Sequence, residues 1–190
     1  MQLRELVAKT RSYRRFKQDP IPEETLRGLV DLARMSPTGS NLQPLKFFLS
    51  WTAETNARIF PCLAWAGSIS DWDGPGEGER PTAYILILVD TDIWKEPGHN
   101  VGIAAQSIVL GAMENGIGAC MIASLERPRL AQEFNIPGRC IIPLAIALGV
   151  PGETVVTENI GPDGNVDYYR DADDVHHVPK RTLDELIVSF

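Results

Sequence analysis

The sequence predicts one mixed α and β domain organised around a single buried helix. Three observations carry this. Val101, Ala104, Ala105, Ile108, Val109, Ala112 and Met113 leave a helix with almost no polar face. The runs Ala83–Val89 and Cys140–Leu148 are continuously apolar, as strands covered on both faces are. The remaining strand candidates are too few and too irregularly spaced for a repeating β-α-β series.

The elements follow in chain order. Leu3, Leu6 and Val7 mark a short amphipathic helix that runs into the basic segment 11–16. Pro22 with Glu23 and Glu24 starts a second helix, because proline and acids suit a first turn. Leu26, Leu29, Val30 and Ala33 continue it at helical spacing, and Pro37 ends it by restricting Ser36. Residues 37–44 are a short polar loop, and Lys46 to Trp51 a strand. Glu54 to Trp65 reads as helix broken near Pro61. Residues 66–81 hold four glycines and two prolines and read as a long loop.

Asn100 is the expected cap of the central helix, which ends at Asn115-Gly116. Cys120 to Ala123 is a short strand and Pro128 to Phe134 a helix. From Pro151 to Pro179 no periodicity is sustained, yet Val155, Val156, Ile160, Val166, Tyr168 and Tyr169 are too apolar for a disordered tail. The expectation is an arm that packs onto something, such as a second protomer. Thr182-Leu183-Asp184-Glu185 is a capping box that opens a last short helix. The whole of 1–190 reads as one domain, with 66–81 as a lid or loop and 151–190 as a C-terminal extension.

The 190 residues carry a net charge of −7, which argues against nucleic acid or an anionic membrane as main partner. Positive charge is local: Arg11-Ser12-Tyr13-Arg14-Arg15-Phe16 places three arginines and a serine hydroxyl in six residues. Guanidinium groups match phosphate oxygens in charge and geometry, so this segment suits a small anion; the competing reading is a solvated basic turn. Cys62, Cys120 and Cys140 are odd in number and widely spaced, which argues against a disulfide framework or a zinc site. With no apolar run at the N-terminus, the expected location is the cytoplasm.

No nucleotide or hydrolase signature is present. Gly74-Pro75-Gly76-Glu77-Gly78 follows no strand and sets a carboxylate where a phosphate would lie. His99, His176 and His177 read as solvated or supporting groups, with the adjacent pair diverging. Asp71/Asp73 and Asp173/Asp174 read as solvated. A phosphate-binding segment and a polar loop without a catalytic dyad point to a cofactor that performs the chemistry itself; no metal is implied.

Three segments carry a resemblance. Arg11-Ser12-Tyr13-Arg14-Arg15-Phe16 looks like an R-S-x-R-x-F element. Ser36-Pro37-Thr38-Gly39-Ser40-Asn41-Leu42-Gln43-Pro44 looks like a P-S-x-x-N-x-Q-P loop. Gly116–Ser124, with Ala147-Leu148-Gly149-Val150-Pro151, looks like a flavin-flanking strand and its following G-[YV]-P element. In order and spacing the chain resembles the FMN-dependent nitroreductase family, and Lys180-Arg181-Thr182-Leu183 fits the family's ending.

The resemblance implies an α+β fold with a central, mostly antiparallel sheet flanked by helices. It implies a homodimer wrapped by C-terminal arms, with FMN at the subunit interface. On that pattern Arg11, Ser12 and Arg14 hold the FMN phosphate and ribityl chain, joined by Arg181 and Lys180. Pro37, Thr38, Gly39, Asn41 and Gln43 approach the flavin from the partner, and backbone at Ile122 and Ala123 flanks the ring. Trp65, Trp72 and Arg80 fall where the family varies its substrate pocket. The implied activity is an oxidoreductase using NAD(P)H to reduce nitroaromatics, quinones or similar acceptors by ping-pong hydride transfer, with no catalytic side chain required. A flavin-binding redox sensor or storage protein, reductive dehalogenation and flavin breakdown are the alternatives. Thr10 stands where the family often has an arginine, Thr38 replaces a serine, and Leu45 replaces an aromatic.

Overall fold

A computed structural model describes residues 2–69, 72–96 and 98–189. In chain order its elements are α1 (Leu3–Lys9), β1 (Phe16–Lys17), α2 (Glu23–Met35), β2 (Leu45–Ser50), α3 (Ala53–Ile59), β3 (Ala83–Asp90), α4 (Asn100–Glu114), β4 (Gly118–Ile122), α5 (Arg127–Glu133), β5 (Cys140–Pro151), β6 (Val155–Asn159), β7 (Tyr169–Arg170), β8 (His176–Lys180) and α6 (Leu183–Leu186).

The central sheet runs β1-β5-β3-β2, with β4 also on β5, and every pairing in it is antiparallel. β3 is buried along its whole length, as its unbroken apolar run predicts. Its alternate side chains serve opposite faces. Ala83, Ile85 and Ile87 join α2 and α4 in one core layer. Tyr84, Leu86 and Leu88 join Ile59, Leu130 and Trp65 in the other, beneath α3 and α5. The arrangement is α+β with helices on both faces of an antiparallel sheet, as the resemblance implies.

α4 packs on α2 and the sheet through Ala104, Ala105, Ile108 and Ala112, while Ile103 stays 37% exposed on its outer side. Its cap corrects the sequence expectation. His99, not Asn100, stands at the N-cap, and Asn100 lies inside the first turn with its side chain turned to the loop before β2.

The basic segment is pinned on the sheet edge beside β4 and β5. Tyr13 donates its N–H to the carbonyl of Ala119, 3.0 Å away, and β1 pairs with the end of β5. Phe16 then covers Gly149. A Cβ at 149 would fall 2.7 Å from the Phe16 ring, so only glycine permits this approach.

The segment after Pro151 also differs from the irregular arm expected of it. β6 and β8 pair in parallel, β7 joins β8 antiparallel, and the three form a small second sheet. Its strands were hidden by an Asp- and Gly-rich connection between them and by their short, interrupted apolar runs. Beyond it, Leu183, Leu186, Ile187 and Val188 are all more than 60% exposed. The described residues contain no helix long and apolar enough to cross a membrane.

Candidate functional site

The second sheet closes over the basic segment, and the two enclose a cavity of about 330 Å³. Arg11, Ser12, Arg14 and Lys180 line it, with Tyr168 and His176 from the second sheet and its approach. Four of the sequence-predicted cofactor residues thus converge in one chain.

Arg14 is the centre of this site. It is only 8% exposed. Its Nη1 lies 2.9 Å from Nε2 of His176, and its guanidinium stacks 4.4 Å from the centroid of the Tyr168 ring. Among the described residues no carboxylate pairs with that guanidinium. A buried cation without a counter-ion is costly unless an anion reaches it.

The nearest acid is committed elsewhere. Glu153, whose side chain is 2% exposed, accepts from the backbone N–H groups of both Arg14 and Arg15 and pairs with Arg170 at 2.6 Å. It therefore fixes the backbone of the basic segment and leaves the Arg14 side chain to the cavity. Arg15 turns away from the cavity to Asp174 and Glu79; Asp174 is exposed, as expected, and also serves as an ion-pair partner.

The two adjacent histidines diverge, as expected, and their environments oppose each other. His176 is fully buried, and burial, then the neighbouring Arg14 charge, lowers its pKa to about 4. It is neutral at pH 7 and is not solvated. Arg14 has only donors, so Nε2 of His176 is the acceptor and the ring proton sits on Nδ1, which has no partner. His177 lies between Asp171, 2.9 Å from Nε2, and Glu158, 3.0 Å from Nδ1. These hydrogen bonds, Asp171 first, raise its pKa.

Ile122 and Ala123 line an adjoining cavity of about 170 Å³ that shares Arg14, Met121 and Tyr168 with the first. Trp65 lines this second cavity and is 8% exposed, its indole N–H buried without a partner. Trp72 instead lies between Arg15 and Arg170, its ring centroid 5.9 and 5.4 Å from their guanidinium carbons. Arg80 is on neither cavity; it covers Phe60 at 4.2 Å beside a separate groove. Ser70 and Asp71 of the same loop lie outside the described residues.

Pro37, Thr38, Gly39, Asn41 and Gln43 do not line the Arg14 cavity of their own chain. Their loop is docked at the start of α4: Gly39 donates its N–H to Oδ1 of Asn100 at 2.9 Å, and Ser36 meets Ser107 at 2.7 Å. A Cβ on Gly39 would fall 2.5 Å from the Trp94 ring. Ser40, Asn41 and Gln43 all hold positive φ, between 48° and 55°. Three such residues together are strained, and strain of this kind gathers where a loop is shaped for a ligand. Thr38 Oγ1 and Asn100 Nδ2 are buried without partners. Arg181 is exposed and pairs with Glu185 at 3.5 Å.

Tyr168, His176 and Glu153 were not legible as site residues. Their only sequence signal was the apolar content of the arm that carries them.

A cationic cavity beside the sheet, with a strained polar loop on the same α+β domain, is an arrangement suited to a phosphate-bearing ligand. A model of the Nitroreductase family matches residues 7–150, and the chain belongs to that family. A protein of Methanothermobacter thermautotrophicus named "Putative NADH dehydrogenase/NAD(P)H nitroreductase" is 26% identical over 167 residues, covering 84% of this chain and 83% of that protein. Among solved structures, the nitroreductase family protein of Streptococcus pneumoniae TIGR4 superposes with a TM-score of 0.70 at 19% identity, over 100% of both chains. The FMN-dependent nitroreductase of Clostridium difficile R20291 does so at 0.66 and 20%, over 97% of this chain and 96% of that one.

Proposed function

We propose that this chain is an FMN-dependent oxidoreductase that uses NAD(P)H to reduce electron-poor acceptors such as nitroaromatics or quinones. The observation that carries the reading is Arg14, a buried guanidinium with no carboxylate partner among the described residues, on a cavity it shares with Arg11, Ser12 and Lys180. Arg11 fits a phosphate as well: its Nε is buried and unpartnered. Bound FMN supplies the hydride-accepting and hydride-donating centre.

The chain's own residues bind and orient. Arg11 and Arg14 hold the phosphate, with Lys180 and Arg181 at the rim and Ser12 on the ribityl side. Backbone at Ile122 and Ala123 flanks the ring from the adjoining cavity. Trp65 lines that same cavity and is the best placed of the three acceptor-side candidates; Trp72 and Arg80 serve the acceptor only if the loop 66–81 acts as a lid.

Pro37, Thr38, Gly39, Asn41 and Gln43 complete the site from a second copy of the chain. Two features support a homodimer: the incompletely covered outer side of α4 and the exposed apolar tail after Arg181. In that assembly the extension 151–190 contacts both chains, and the protein is a cytoplasmic enzyme built on one domain. The unassigned proton acceptors and donors of the site are backbone and cofactor groups, which accords with the lack of a side-chain dyad.

The visible spectrum of the purified protein tests this. A flavin spectrum bleached by NADH or NADPH and restored by a nitroaromatic or quinone is expected. A colourless protein that takes up no FMN overturns the reading, and bound flavin without turnover favours a sensor.

A further inference from the structure

We propose that His176 is a positioning residue that aims Arg14 at an anion in the cavity, and that it does so only as the neutral, Nδ1-protonated imidazole. The inference rests on the reading of the cavity as the FMN phosphate site. It concerns residues beyond 150, where the match to the family ends.

The geometry is specific. An arginine side chain has four rotatable bonds and loses entropy when it is fixed. Arg14 is fixed in three ways: by the 2.9 Å hydrogen bond to His176 Nε2, by a longer one of 3.4 Å to the Ser12 carbonyl, and by the face of Tyr168. His176 is itself held against Tyr168, ring centroids 5.4 Å apart, on a strand paired on both sides. Its backbone N–H donates to the carbonyl of Thr154 at 2.9 Å. A neutral acceptor is the one partner that can orient a guanidinium without neutralising it. A carboxylate in that place would satisfy Arg14 and compete with the anion; the nearby carboxylate, Glu153, is turned instead to Arg170 and the backbone.

The charges facing His176 keep it neutral. Burial opposes its protonation most, Arg14 next, and Arg170 and His177 add to them; Glu153 alone favours it. Arg11 and Lys180 line the same cavity and add positive potential. A proton on Nε2 would remove the acceptor and set two cations face to face.

The test compares FMN with riboflavin, which lacks the phosphate, by fluorescence titration of the full-length protein. The parent is expected to prefer FMN. His176→Leu is expected to weaken FMN about tenfold or more and to leave riboflavin affinity within about twofold, because only phosphate contact depends on Arg14. His176→Gln, whose amide oxygen can accept from Arg14, is expected to restore most of the preference. Equal loss of both flavins, or an unchanged FMN preference in His176→Leu, overturns the positioning role. A parent without preference for FMN overturns the phosphate-site reading itself. As a check independent of any variant, nitrogen-15 spectra of the parent at pH 7 should show His176 neutral with its proton on Nδ1; an imidazolium or an Nε2-protonated ring overturns the proposal.

Discussion

His177 stacks on the ring of Tyr169, centroids 4.8 Å apart and planes within 7° of parallel, with its two nitrogens capped by Asp171 at 2.9 Å and Glu158 at 3.0 Å. This arrangement locks β7 and β6 to β8 on the side away from Arg14. It predicts how the second sheet responds to pH. The pKa of His177 is raised, so its contribution is complete below the unfolded value near 6.5 and is lost as pH rises through the folded value. Asp171 is shifted the other way by its bond to His177, so its contribution is present above about 3.8 and is lost in acid. The pair therefore stabilises the sheet most between those limits. Urea unfolding should show the parent exceeding His177→Gln near pH 5.5, with the difference shrinking by pH 9. A difference that grows with pH would contradict the assignment.

Glu153 joins the basic segment to the second sheet, and its loss should be felt in both. Glu153→Gln leaves Arg170, with 11% of its side chain exposed, facing an amide in place of a carboxylate. Removing one member of a buried pair typically costs about 3–5 kcal/mol, because the other charge stays buried. The expected result is a loss toward the lower end, since the amide oxygen can still accept from the Arg14 and Arg15 backbones. Equilibrium denaturation measures it; a change under about 0.5 kcal/mol would mean that Asp174, 3.4 Å from Arg170, suffices as its counter-ion.

Gly149 is the narrowest point between β5 and the basic segment. Gly149→Ala brings a methyl to 2.7 Å from three Phe16 atoms, one of them Cβ, and Phe16 is 1% exposed. Overpacking of this kind costs about 1–3 kcal/mol. The expected signature is lower thermal stability together with faster amide exchange at Lys17 and Val150, which are paired across β1 and β5.

Much of this arrangement was legible in the sequence, and the reasons differ by segment. β3 announces itself because eight consecutive residues bury both faces. α2 does so because Leu26, Leu29 and Ala33 repeat on one side. The arginines were legible as a cluster because three fall within six residues, Arg11 to Phe16. β1 was not: two residues paired to β5 carry no periodicity. Nor were β6 to β8, whose pairings span a connection rich in Asp and Gly. The role of Asn100 was misread for a related reason. Capping is a local rule, while its bond to Gly39 joins positions 61 residues apart. What escaped the sequence was always a long-range contact made by a residue with an adequate local explanation.

Arg14 brings affinity and stability into opposition. Its guanidinium is desolvated with no carboxylate among the described residues, a cost of several kcal/mol that hydrogen bonds to His176 and the Ser12 carbonyl and one aromatic face only partly offset. Arg14→Met keeps the volume and removes the charge. The unliganded variant should therefore be at least as stable as the parent in urea, although it leaves His176 Nε2 without its donor. The same variant should lose about 1.5–3 kcal/mol of FMN binding, on the order of 10- to 100-fold in affinity, with the protein released as colourless after dialysis. If the variant were both less stable and unchanged in flavin content, Arg14 would be a structural side chain and the anion would bind elsewhere. The predicted opposite signs distinguish a group kept for its ligand from one kept for the fold.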